Sequence, residues 1–212
     1  GTFMSAFATG FSGAIVPGPL LAACAHETLR SGFAAGMLTV AGHGAMEIVL
    51  VLAMLAGLAG YFGTHPGVLR IVKVVAGGML VLLGTIMILT APSAEFEVST
   101  PVGRAMAAGP LLIGAAVSIG NPYFTLWWAT VGLGLLTSAA QLGRAAVASF
   151  YVGHLLSDFA WFAFVAGSLS LERRIVVGST VYRVLLVASG AFLIAFGLYF
   201  ATVRRPKQPA SG

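Results

Sequence analysis

Gly42-His43-Gly44-Ala45-Met46-Glu47 lies deep inside an apolar run, and a related stretch, Gly153-His154-Leu155-Leu156-Ser157-Asp158, lies inside another one 111 residues later. Each copy reads Gly-His, three residues, then a carboxylate. On a helix, positions i and i+4 share one face a turn apart, so each imidazole is within reach of its own acid. The remaining acids (Glu27, Glu95, Glu97, Glu172) and histidines (His26, His65) fall at or beyond the ends of apolar runs. The repeated motif is therefore expected to hold every interior carboxylate and every interior histidine.

The runs around the motif define the class. The chain is 58% hydrophobic and 8% charged, with a mean hydropathy of +0.99. A soluble domain carries about 25% charged residues, and this chain has too few to cover a water-facing surface. It reads as an all-α integral membrane protein. Its 212 residues suffice for about six or seven spans of some 20 residues with short connections. Continuous apolar runs of that length favour helices over the alternating ten-residue strands of a barrel. The net charge of +5 is expected at span ends, facing anionic headgroups, and does not point to nucleic acid. A lone cysteine, Cys24, excludes an internal disulfide. The first apolar run has no basic flank ahead of it and is interrupted by proline, so it reads as a retained span and not a cleaved signal.

In chain order, the first span covers about Phe3–Ala25 and is broken at Pro17-Gly18-Pro19, where prolines remove backbone donors. A polar hinge, His26–Gly32, leads to the second span, about Phe33–Gly60, which holds the first motif. Tyr61–Gly67 is a connection, and the third span runs from about Val68 to Ala91. Residues 92–104 form a polar loop. No charge occurs from Ala105 to Gly143, 39 residues, longer than one straight crossing of the bilayer core needs. The break Gly120-Asn121-Pro122 divides that run into a broken or re-entrant span. The fifth span, about Ala145–Leu169, holds the second motif. The sixth runs from about Val181 to Val203, ahead of a basic tail, 204–212.

The halves correspond. Pro17-Gly18-Pro19 matches Gly120-Asn121-Pro122 at an offset of 103, the His-acid motifs match at 111, and Arg70, Gly77 and Gly84 match Arg183, Gly190 and Gly197 at 113. Residues 1–91 and 105–203 are each expected to form a three-span repeat. Three is odd, so the second repeat enters the bilayer from the opposite side, related to the first by a pseudo-two-fold axis in the membrane plane. Such an axis brings the mid-span features together. The expected site comprises His43, Glu47, His154 and Asp158, with Pro17, Gly18, Pro19, Asn121 and Pro122 at the helix breaks. A mid-bilayer carboxylate costs about 2.5–3.5 kcal/mol on insertion scales, and the cost is incurred twice, which favours function over a purely structural pairing. The glycines read as close helix packing, and Trp127, Trp128 and Trp161 read as packing or interface anchors.

With Pro17-Gly18-Pro19, Arg30-Ser31-Gly32 and Gly36, the spaced glycines of Lys73–Gly84, and Asn121-Pro122, the chain resembles the LysE/Rht-type translocators, a family of small inner-membrane amino-acid exporters. The resemblance covers most of the chain. It implies six spans, residence in a prokaryotic inner membrane, and export of a small solute driven by a proton or cation gradient, with no cofactor. Two other readings stay open. His43, Glu47, His154 and Asp158 offer four ligands suited to zinc or manganese, as in a divalent-metal exporter. An intramembrane enzyme using a His-carboxylate base lacks a marked nucleophile, although Ser118 and Ser157 lie near the right depth. The expected partners are a small-molecule or ion substrate and membrane lipid, and the glycine-rich faces permit a homo-oligomer without requiring one. An even span count puts both termini on one side, and Lys and Arg divide six against five between the sides, so the positive-inside rule does not choose an orientation.

Overall fold

A computed structural model describes residues 1–16, 18–93, 109–171 and 179–202, and every regular element among them is helical. Pro17, residues 94–108 with Glu95, Glu97 and Arg104, residues 172–178 with Glu172, Arg173 and Arg174, and the basic end 203–212 lie outside the described residues. The helices are α1 (Thr2–Ala14), α2 (Pro19–Ser31), α3 (Phe33–Ala53), α4 (Ala59–Thr64), α5 (Pro66–Thr90), α6 (Gly109–Ile119), α7 (Pro122–Trp127), α8 (Leu133–Gln141), α9 (Arg144–Leu171) and α10 (Ser179–Thr202). Among the described residues, Phe33–Gly57, Arg70–Thr90 and Arg144–Ser170 are long and apolar enough to cross a membrane, and α1 with α2, meeting at 77°, makes a fourth such unit. Large apolar side chains point outward along them, including Leu52, Ile71, Leu82, Leu89 and Phe164, a surface that lipid and not water would cover.

Both expected breaks are real interruptions. Gly18, extended at φ −152°, precedes α2, whose first residue is Pro19. In the second half α6 stops at Ile119, and Asn121 accepts a hydrogen bond from the Tyr123 amide at 3.0 Å, capping α7 ahead of Pro122. Pro at the first helical position has no donor to lose and a φ already suited to the helix.

Two expectations of loop are corrected. The stretch His26–Gly32 is not a hinge: α2 runs through it to Ser31, with Glu27 and Thr28 buried. The helix survives because its polar groups are satisfied locally. Thr28 Oγ1 donates to the Cys24 carbonyl at 2.7 Å, and the Glu27 carboxylate meets His26 Nδ1 at 3.1 Å and Arg30 at 3.8 Å. Gly36 of α3 leaves room for Thr28, whose hydroxyl would collide with a Cβ there. Only at Gly32, with φ +95°, does the chain turn into α3. Interior acids and histidines are thus not confined to the repeated motif. The connection Tyr61–Gly67 is also shorter than expected, because α4 continues past a kink at Gly57 (φ +133°) as far as Thr64.

Glycine governs how closely the helices approach. α5 and α10 pack along one another, with Gly77 against the Gly197 carbonyl and Gly84 against the Gly190 carbonyl. α6 crosses α3 where Gly114 meets the Thr39 backbone and Gly42 meets the Leu111 backbone, and α1 lies on α9 where Gly153 meets the Phe3 backbone. Apolar side chains attract one another no more than they attract lipid, so dispersion between closely packed backbones has to hold these helices together. Gly84→Ala is expected to lower the thermal midpoint in detergent by an amount equivalent to about 1–3 kcal/mol, because its Cβ meets the Gly190 carbonyl and Ile194. Gly78→Ala, which meets nothing within 4 Å, is the control and should leave the midpoint unchanged or slightly higher. Equal midpoints for the two variants would dispose of the packing argument.

Candidate functional site

The two His-acid motifs face each other across the crossing of α3 and α9. That crossing is close because Gly44 has no side chain: Leu155 lies over it, and Tyr151 Oη donates to its carbonyl at 3.1 Å. One turn further along α3 is Glu47, and one turn along α9 from Leu155 is Asp158. The four expected residues come together. Within the motifs, His43 Nε2 lies 3.5 Å from Glu47 and His154 Nε2 lies 3.6 Å from Asp158. Between the motifs, His154 Nε2 approaches Glu47 Oε1 at 2.8 Å, and His43 Nε2 lies 3.9 Å from Asp158 Oδ2. The shortest contact therefore joins the two motifs, where helical spacing had suggested each imidazole with its own acid.

Glu47 and Asp158 are almost fully buried, and a buried carboxylate needs donors to offset the loss of water. Glu47 Oε1 accepts from both His154 Nε2 and Trp128 Nε1, the latter at 3.3 Å. Glu47 Oε2, Asp158 Oδ2 and His154 Nδ1 have no hydrogen-bond partner among the described residues. His43 is held by its other nitrogen, Nδ1, 2.7 Å from Ser118 Oγ. Ser118 Oγ also lies 2.6 Å from the Gly114 carbonyl, an acceptor that takes its only proton. The hydroxyl must then accept from His43 Nδ1–H. That assigns the tautomer, and in neutral His43 it leaves a bare lone pair on Nε2, between the two carboxylates.

Aromatic rings wall the cluster. Trp127 stacks on His154 at 4.6 Å and 24°, Trp128 meets the same ring edge-on at 5.1 Å, and Phe124 meets His43 at 5.3 Å. On the remaining side α1 lies close, because a Cβ at Gly10 would strike Ser157 Oγ and His154 Nδ1. The cluster opens on a cavity of about 60 Å³, room for a few water-sized groups. His43, Glu47, His154 and Asp158 share its wall with Gly18 and Asn121, one from each helix break. Pro19 and Pro122 start the helices behind those residues and do not line the cavity, and Pro17 lies outside the described residues.

Three contributors were not legible as site residues. Trp127 and Trp128, expected as packing or interface anchors, are buried beside the cluster, and one of them donates to Glu47. Their position one to two turns past Asn121-Pro122 was the available signal. Ser118 lies three residues ahead of Asn121, so only its approach to His43 reveals its part. Trp161, by contrast, has no hydrogen-bond partner for its Nε1 among the described residues and packs edge-on against Phe11.

Breaks in transmembrane helices, an apolar outer surface and a buried ionisable cluster on a small cavity define a multi-pass membrane transport protein. The family model for the LysE type translocator matches residues 11–204. The chain belongs to the LysE type translocator family, a family of transporters. No curated protein and no solved structure matches the chain.

Trp128→Phe deletes the donor to Glu47 and, because the indole is fully buried, also leaves a void, so it should cost at least about 1–3 kcal/mol of stability, read as a lower thermal midpoint. Trp161→Phe should leave the midpoint unchanged. A Trp128→Phe protein as stable as wild type would mean that the indole N–H does not support the carboxylate.

Proposed function

We propose that the protein is a secondary exporter of a small solute, an amino acid or a close derivative, working by alternating access and driven by a proton or cation gradient across a prokaryotic inner membrane. The observation that carries this reading is the convergence of two buried His-carboxylate pairs, one from each half of the chain, on one cavity.

The reading rests on a six-span, inverted-repeat architecture. α1–α2, α3 and α5 would be the first three spans, and α6 with α7–α8, α9 and α10 the second three. The packing of α5 on α10 supports this. The offset of 113 takes Gly77 to Gly190 and Gly84 to Gly197, so exchanging the halves converts the Gly77–Gly197 contact into the Gly84–Gly190 contact. The cluster supports it too. At the offset of 111, exchange converts His43–Glu47 (3.5 Å) into His154–Asp158 (3.6 Å), and His154–Glu47 into His43–Asp158. Rocking of one half against the other about such an axis exposes a midplane site to each side in turn.

In this reading Glu47 and Asp158 hold the coupling proton or cation, or the amino group of the solute, and His43 and His154 pass or balance that charge. Gly18 has no side chain to cap α2, so the amides of Leu20 and Leu21 at its start are suited to a substrate carboxylate. Asn121 adds a side-chain amide from the opposite break. Leu20, Leu21, Phe162 and Leu193 line the same cavity and suit a small apolar side chain.

Glu47→Gln and Asp158→Asn preserve shape and remove the charge. Each is expected to abolish counterflow of radiolabelled amino acids in proteoliposomes while the yield of membrane-inserted protein stays within about two-fold of wild type, the counterflow loss being at least about 100-fold. Normal counterflow in both variants would sink the assignment of the carboxylates.

A further inference from the structure

We infer that the cluster is also a binding site for a divalent first-row transition-metal cation, with His43 Nε2, Glu47 and Asp158 as its protein ligands. The inference concerns the cavity assigned above to export, but it does not depend on transport. One ligand atom from each of these three residues lies within 4.8 Å of the other two. His43 Nε2 lies 3.9 Å from Asp158 Oδ2, close to the edge of about 3.4 Å that a tetrahedral site with bonds of about 2.1 Å requires, and 3.5 Å from Glu47 Oε1, on the same carboxylate as the free Oε2.

The case rests on how the ligands are held. His43 donates Nδ1–H to Ser118, so its Nε2 lone pair is the one facing the carboxylates. A metal-binding imidazole characteristically has its second nitrogen anchored in this way, which fixes tautomer and ring orientation. Glu47 is anchored through Oε1, which His154 and Trp128 both engage, while the buried Oε2 has no hydrogen-bond partner among the described residues. Asp158 Oδ2 is likewise buried and without a hydrogen bond. Unsatisfied buried oxygens are costly, and a cation between them supplies what they lack.

His154 is not a fourth ligand. At 2.8 Å from Glu47 Oε1 it is at hydrogen-bond distance, shorter than the edge of about 3.4 Å of a tetrahedral site. It positions Glu47 instead, leaving one metal coordination site open to the cavity. Two carboxylates match the charge of a divalent ion. The nitrogen ligand favours zinc, cobalt or manganese over magnesium, and no thiolate lines the cavity among the described residues, so a soft monovalent metal is disfavoured. Because α3 supplies two ligands and α9 the third, a bound cation clamps the two helices and competes with any solute for the cavity.

The test is zinc binding to the purified full chain in detergent, by equilibrium dialysis and by thermal shift with zinc, manganese or magnesium chloride. One zinc per chain is expected, with a raised thermal midpoint and no response to magnesium. His43→Gln and Asp158→Asn should each abolish binding. His154→Gln should retain the stoichiometry with about 10–100-fold weaker affinity, as for loss of a group that orients a ligand. A His26→Ala/His65→Ala protein should bind as wild type does. The inference is overturned if wild type binds neither zinc nor manganese, or if binding survives in His43→Gln and Asp158→Asn. Dialysis is read directly on protein that elutes as a single species, so a variant that is merely less stable does not pass for one that has lost the site. Amino-acid counterflow, measured separately, can fail without affecting this result.

Discussion

The hydrogen bond from His154 to Glu47, 2.8 Å long and between buried side chains, ties α9 to α3. A carboxylate in that position would not be tolerated without donors, and Glu47 obtains them from His154 and from Trp128, 107 and 81 residues away in the chain. Imidazole and carboxylate side chains are short. For them to meet, the helices that carry them must pack closely. The glycines make this geometry available: Gly44 under Leu155, Gly42 and Gly114 where α6 crosses α3, and Gly10 and Gly153 where α1 lies on α9. Close packing and the polar cluster depend on each other, since the glycines permit the approach and the hydrogen bonds define its register.

The helix breaks contribute in a different way. A continuous membrane helix presents no free backbone donors, and the start of a new helix does. Gly18 and Asn121 put such starts on the wall of the same cavity as the acids. The two halves are not equivalent in every respect. Glu27 is buried near the end of α2, beside the half-buried His26 and the exposed Arg30, and the sequence offset of 103 leads from it to Thr130. Thr130 donates only to carbonyls of its own helix.

Much of this was legible in the residues themselves, because a bilayer imposes few solutions. Long apolar runs must be helices. Ionisable groups within them must find partners, and Pro-Gly-Pro and Asn-Pro must interrupt them. The helices and both breaks follow from those rules, as does the choice of His43, Glu47, His154 and Asp158 as the residues of interest. The rules failed at His26–Gly32, where polarity was mistaken for a loop. A helix carries several polar groups when it can pair them within one turn, as Glu27 does with His26 and Arg30. They failed also at Trp127 and Trp128, since composition does not distinguish an indole at the membrane surface from one pointing at a buried acid.

The chain's own residues determined the class of protein, the order of its helices and the identity of the central ionisable groups, because each follows from local periodicity and from the cost of polar atoms in an apolar medium. Tertiary structure decided which groups pair. Helical spacing joins His154 to Asp158, but the crossing of α3 and α9 joins it more closely to Glu47. The crossing of α6 over α3 brings Ser118 to orient His43, and among the described residues Glu47 Oε2 and Asp158 Oδ2 are left without hydrogen-bond partners. Those outcomes depend on how near two helices come, a distance that the glycines permit and only the packed whole determines.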